Sequence, residues 1–151
     1  MKRLPLDPPD TVQFSRMVRR FRFFEAMSIV MLERVLEGLQ LFAFEAREKV
    51  CAQGDSGDSF FVVQVGTLEV TVRKDPKTRP RRVATLEPGD CFGEMSLLRQ
   101  APRNATVACL APSRVFVLPA RHFQAVLAQN PDFSEKIQTL AEARQFELDH
   151  P

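Results

Sequence analysis

The hydrophobic period of this 151-residue chain changes twice along its length, and those changes constrain the fold more than any single residue does. From Thr11 to Gln40 the apolar residues recur at helical spacing. Phe14, Met17, Val18 and Phe21 fall on one helix face, and Arg16, Arg19, Arg20 and Arg22 fill the other as a solvated surface. A second helix is expected from about Ile29 to Leu39, with Met31, Leu32, Val35 and Leu36 inward. Ser28 is its expected N-cap, because a serine oxygen accepts from an orphan amide of the first turn. The period then falls to two. Phe42 and Phe44 alternate with their neighbours, and Phe60-Phe61-Val62-Val63 is a β-prone run that stops at Gly66. Leu68, Val70 and Val72 alternate with Thr67, Glu69, Thr71 and Arg73 as a half-buried strand does. Val83–Leu86, Thr106–Ala108 and Val115–Leu118 read as further short strands, with turns at Gly54-Asp55, Gly57-Asp58 and Pro88-Gly89-Asp90. After Pro119 the helical period returns. It runs through Phe123, Val126 and Leu127 to Asn130-Pro131, then through Phe133, Ile137, Leu140 and Ala141 to about Leu148.

Short strands at intervals of ~8–12 residues with turns between them predict a sandwich or barrel of the jelly-roll kind. The expected class is α+β: an antiparallel β-roll over residues 41–118, N-terminal helices over 11–40 and two C-terminal helices over 119–148. Residues 1–10, with three of the eleven prolines, read as an extended lead-in, and 11–151 as a single domain. Residues 74–82, KDPKTRPRR, read as a charged hairpin connection.

Composition narrows the function. Lys and Arg total 21 against 19 Asp and Glu, so the chain lacks the basic excess of a general nucleic-acid binder. The chain has two histidines, His122 and His150, both in or beyond the C-terminal helices. A metal enzyme of the cupin type, which needs two or more His with a carboxylate on the roll, is therefore excluded, and no metal is expected. Cys51, Cys91 and Cys109 are odd in number and form no CxxC pair, so they read as small buried hydrophobes in a reducing compartment. No apolar run reaches the ~18 residues of a membrane span, and MKRLPLDPPD has no apolar segment after it as a secretory signal would. The expected location is the cytoplasm, either free or as the cytosolic part of a membrane protein. Ser96 has no histidine near it in sequence and Cys91 no activating base, so no catalytic residue is expected.

The stretch that carries chemistry is Pro88 to Val107, PGDCFGEMSLLRQAPRNATV. Gly93 lies between a β-like Cys91-Phe92 and a short apolar helix expected over Met95–Leu98. A glycine there lets the backbone approach a ligand, and the free amides of a helix start attract an anion. Arg103, nine residues after Glu94, offers a planar fork suited to phosphate, and Thr106-Val107 provides a rigid strand start behind it. Glu94 beside a phosphate is unfavourable unless it has its own donor, and a sugar hydroxyl would be one. The competing reading is a capped helix with Glu94 at its N-terminus, ion-paired to Arg103.

FGEMSLL followed by PRNATV resembles the phosphate-binding cassette of cyclic nucleotide-binding domains, found in kinase regulatory subunits, nucleotide-gated channels and the catabolite activator family. The resemblance extends to Gln53-Gly54-Asp55-Ser56-Gly57-Asp58, to Phe60 and Val62, and to Gly66 with Glu69-Val70, covering about residues 20–148. It implies a regulatory sensor, not an enzyme. Gly93, Met95 and Ser96 would offer backbone contacts near the cyclic phosphate. Glu94 would accept from the ribose 2′-hydroxyl, Arg103 would pair with the exocyclic oxygens, and the backbone of Asn104 and Ala105 would close that side. Val70 and Ala84 would lie under the base. The last helix would act as a lid, with Arg144, Leu140 or Phe146 capping the base. Where many cAMP binders carry Ala and many cGMP binders Thr, this chain has Asn104. The missing Thr favours cAMP over cGMP. The alternative within the family is a ligand-free domain serving protein association. Expected partners are the nucleotide together with a second copy, an effector domain or a channel. A catabolite-activator type of DNA contact would need a helix-turn-helix that these residues do not contain.

Overall fold

The computed structural model describes residues 1–25, 27–98, 102–136 and 138–139, with the side chains of residues 22, 23 and 95 left out. Pro8 opens the first helix. It suits a helix start because its missing amide would be an orphan there in any case. The Asp10 carboxylate accepts from the Asp7 amide at 3.0 Å. Helix α1 thus spans Pro8–Val18, followed by α2 (Arg22–Glu25) and α3 (Ile29–Leu36). The Ser28 side chain accepts from the Met31 amide at 3.1 Å and caps α3, as the spacing predicts. Strands β1 (Lys2–Leu4), β2 (Gln40–Phe44), β3 (Lys49–Cys51), β4 (Ser59–Val65), β5 (Leu68–Val72), β6 (Arg81–Leu86) and β7 (Cys91–Phe92) come before a single 3-10 turn, Glu94–Leu97. Strands β8 (Thr106–Cys109) and β9 (Ser113–Pro119) lead into α4 (Ala120–Ala128). Residues 131–136 are again helical.

The strands form two antiparallel sheets, ordered β1-β2-β9-β4-β7 and β3-β8-β5-β6. This is the α+β roll expected. The FFVV run of β4 reads as continuous rather than alternating because both of its faces are covered. Phe60 and Val62 turn to a core shared with the helices, alongside Phe14, Phe24, Phe116 and Phe123. Phe61 and Val63 turn to a second core between the sheets, with Phe44, Leu68, Val107, Val115 and Val117. Helices, first sheet and second sheet are therefore three stacked layers.

Three local expectations are corrected. The first ten residues are more than a lead-in: Lys2–Leu4 pair with Leu41–Ala43 as an edge strand, and α1 begins at Pro8. The first helical stretch after Thr11 is broken at Arg19–Phe21 and followed by the short α2, and the second helix ends at Leu36 rather than about Leu39, with β2 starting at Gln40. The cassette helix is a 3-10 turn starting at Glu94 rather than a helix over Met95–Leu98. Its amides are drawn into tight local bonds such as Ser96 N–H to the Gly93 carbonyl at 3.0 Å. Of the cysteines, Cys109 is buried, while Cys51 and Cys91 are half-buried.

Candidate functional site

Gly93 has φ +80°, a region that side chains disfavour. A Cβ there would lie 2.8 Å from the Ser59 carbonyl oxygen and would also run into the Arg103 guanidinium. Glycine at this position is thus a condition for Arg103 to lie against the cassette backbone. The guanidinium Nη2 donates to the Ser59 carbonyl at 2.7 Å, and its carbon sits 5.2 Å from the centroid of the Phe61 ring. Phe61 in turn stacks on Phe92 at 4.7 Å between centroids. The ion pairs among the described residues do not include Arg103, so its charge is held by a carbonyl dipole and a π face.

Two backbone bonds fix the arginine from the other side. The Gly54 amide donates to the Arg103 carbonyl at 2.8 Å, and the Arg103 amide donates to the Asp55 carbonyl at 2.7 Å. Pro102 forms an isolated bridge with Ser56. This gives the Gln53–Asp58 turn motif a structural purpose: it docks the segment that carries Arg103. The arginine also acts on its surroundings. Burial pushes the Cys51 thiol above its ordinary range, and the positive charge of Arg103 pulls it back in part.

A cavity of about 420 Å³ opens beside Gly93 and Glu94, lined also by Phe21, Leu86, Asp90, Cys91 and Phe92. Glu94 is half-buried at its wall. Ser96 is buried, at 8% exposure, and Leu97 beside it is fully buried in the core shared with the helices. The Gln124 side chain of α4 donates to the Leu97 carbonyl at 3.3 Å, so the 3-10 turn is tied directly to a C-terminal helix. Asn104 is exposed and Ala105 half-buried, just before β8. Val70 and Ala84 face each other across β5 and β6, on the side of the sheet that also presents Leu86. Val70 packs on the core between the sheets, whereas Ala84 is exposed. Gly93 and Glu94 therefore line this cavity, Arg103 lies against Gly93 at its edge rather than among the lining residues, and Val70 and Ala84 lie on the strand pair that also carries Leu86. Arg144, Leu140 and Phe146 lie outside the described residues, and of Met95 the backbone alone is described.

Sequence reasoning did not find Ser59, Phe61 and Phe92 as supports of Arg103, nor Phe21 and Leu86 at the cavity. Phe92 adjoins Gly93 and was within reach of a local reading. Ser59 lies 44 residues from Arg103, and no spacing rule links the two.

A model of the cyclic nucleotide-binding domain matches residues 41–130. A candidate potassium channel protein of Rhodopseudomonas palustris is 27% identical over 128 residues, which are 85% of this chain and 30% of that protein. The cAMP-dependent protein kinase regulatory subunit of Blumeria graminis is 46% identical over 65 residues, 39% of this chain and 17% of that protein. Among solved structures, the regulatory domain of Toxoplasma gondii PKA with cAMP superposes with a TM-score of 0.72 at 30% identity, covering 81% of this chain and 46% of that one. The chain thus spans less than a third of the length of these two sequence relatives. The match takes in the whole cassette, from the turn at Gly89 through Gly93, Glu94 and Arg103 to β8, and the β-roll around it: this chain belongs to the cyclic nucleotide-binding domain family.

Proposed function

We propose that this chain is a sensor that takes cAMP in preference to cGMP and passes the signal on through its flanking helices. The observation that carries this reading is Arg103 held at Gly93, beside the Glu94 cavity, by a single carbonyl and a ring face. A guanidinium kept without a carboxylate partner among the described residues is ready for a cyclic phosphate. The remaining roles follow the family pattern. The backbone at Gly93, Met95 and Ser96 meets the phosphate, and Glu94 accepts from the ribose 2′-hydroxyl. Asn104 and Ala105 close the arginine side, Val70 and Ala84 support the base, and a residue of the last helix caps it, with Arg144 the first candidate.

The preference for cAMP rests on Asn104 standing where the Thr of many cGMP binders would be, and on two relatives whose names refer to cAMP. Signal transmission rests on the bond from Gln124 to the cassette and on Leu97 in the helix-facing core. Drawing the cassette toward a ligand would pull on α4, and through it on α3 and the residues after 131. A ligand shifts such a balance by its differential affinity for the closed state, and by no more than that. In this reading the chain acts as one unit, located in the cytoplasm and serving an attached effector or channel, as the greater length of the relatives supports. Among the described residues no helix is long and apolar enough to cross a membrane.

Calorimetric titration with cAMP and cGMP tests the reading. The expected result is tighter binding of cAMP. Arg103→Leu should lose about 1.5–3 kcal/mol, roughly 10- to 150-fold in affinity. Equal affinity of wild type and variant would overturn the assignment, and absence of binding by wild type would favour the ligand-free association module.

A further inference from the structure

The four-stranded sheet has an outer face that the cassette does not use. A concavity of about 980 Å³ lies there, between the 52–54 turn and the 73–80 loop. This is within the ~300–1,000 Å³ of small-molecule sites. It shares no lining residue with the Gly93 cavity. Thr71, Thr106 and Ala108 make a floor of small side chains, and Lys49, Arg73 and Lys74 stand around it.

Of the two acids that line this groove, Glu69 is already paired with a cation and Asp75 is turned to its own loop backbone. Glu69 bonds Arg82 through Nη2 at 2.7 Å and Nε at 2.9 Å. Asp75 Oδ1 accepts from the Lys77 amide at 2.8 Å. The ion pairs among the described residues include none of Lys49, Arg73 and Lys74. Three like charges around one concavity repel one another, and an anion between them relieves that repulsion.

The groove wall is also fixed in advance. The Gln53 side chain donates to the Arg73 carbonyl and accepts from the Arg73 amide, both at 2.9 Å. The Gln53 amide donates to Thr106 Oγ1 at 2.9 Å. One residue thereby clips the loop to the sheet, and Pro76 and Pro80 stiffen the loop itself. The cations come from two sides, Lys49 from β3 and Arg73-Lys74 from the loop, so a ligand with several adjacent negative groups matches them better than one carboxylate does. The geometry points to a second anion site on the outer face of the roll, taking a ligand with two or more adjacent phosphates.

Inorganic triphosphate is the probe, titrated calorimetrically into the full chain at moderate salt. Thermal melts establish that each variant is folded. Wild type should bind, the double variant Arg73→Glu/Lys74→Glu should bind at least tenfold more weakly, and Lys49→Gln should be several-fold weaker. Arg103→Leu should bind triphosphate as wild type does, which separates this site from the cassette. Absence of binding to wild type, undiminished binding in both groove variants, or loss in Arg103→Leu overturns the proposal. Co-sedimentation with vesicles containing a bisphosphorylated inositol lipid assigns the phosphates to a headgroup; triphosphate binding without co-sedimentation assigns them to a free ligand.

Discussion

A methyl group at position 93 would meet the Ser59 carbonyl and the Arg103 guanidinium at once, on a backbone already at φ +80°. Gly93→Ala should therefore act on stability and on binding together. The left-handed conformation costs a non-glycine residue about 1–2 kcal/mol. The displaced arginine should weaken nucleotide binding at least tenfold. Urea denaturation reads the first effect and calorimetry the second; a stable variant with unchanged affinity would show that Arg103 does not need this glycine. At this scale the sequence was informative about identity and silent about support. Glycine, glutamate and arginine were legible because the cassette is contiguous. The carbonyl and ring that hold the arginine belong to β4, which reaches the site by pairing with β7 and β9.

At the scale of elements, α3 is where local rules sufficed. Ser28 caps it, its apolar face is Met31, Leu32 and Val35, and all three are buried. Ser28→Ala should cost about 1 kcal/mol in urea denaturation, with a range of roughly 0.5–2; a change well below that would mean neighbouring groups satisfy the Met31 amide. Local rules were insufficient at β1 and at the 3-10 turn. Lys2–Leu4 is too short and polar to read as a strand and becomes one only because β2 offers an open edge. The cassette's apolar letters do suit a helix, but Leu97 must reach the core while Gly93 stays in a left-handed turn, and a tight turn satisfies both. Gln64 is a further case. Its side chain, buried on β4, donates to Asp10 at 2.8 Å and to Gln13 at 2.9 Å, tying β4 to α1 across more than fifty residues.

Across the whole molecule, Phe60 links the layers. Fully buried on β4, it stacks on Phe24 with 5.5 Å between centroids and meets Phe21 edge-on at 6.1 Å. Phe60→Ala should destabilise the fold by about 3–5 kcal/mol through lost burial and the cavity left behind. Because the ring joins helices and sheet, helical and β signals should still disappear together in denaturant; separate transitions would show that the N-terminal helices fold independently of the roll. A net charge of +2 neither demands nor forbids an anionic ligand when the proposed site rests on one arginine held against a ring and a carbonyl.

The sequence by itself determined the layout of helices, β-roll and helices, the α+β class and the contiguous cassette with its glycine, acid and arginine. Each of these depends on residues within a few positions of one another, where period, turn chemistry and motif spacing act directly. Only the tertiary structure decided that β4 is buried on both faces, that Ser59 and Phe61 hold Arg103, that α4 grips the cassette turn, and that a basic groove opens on the outer sheet. These relations join residues tens of positions apart, and strand pairing and layer packing, rather than local preference, bring them into contact.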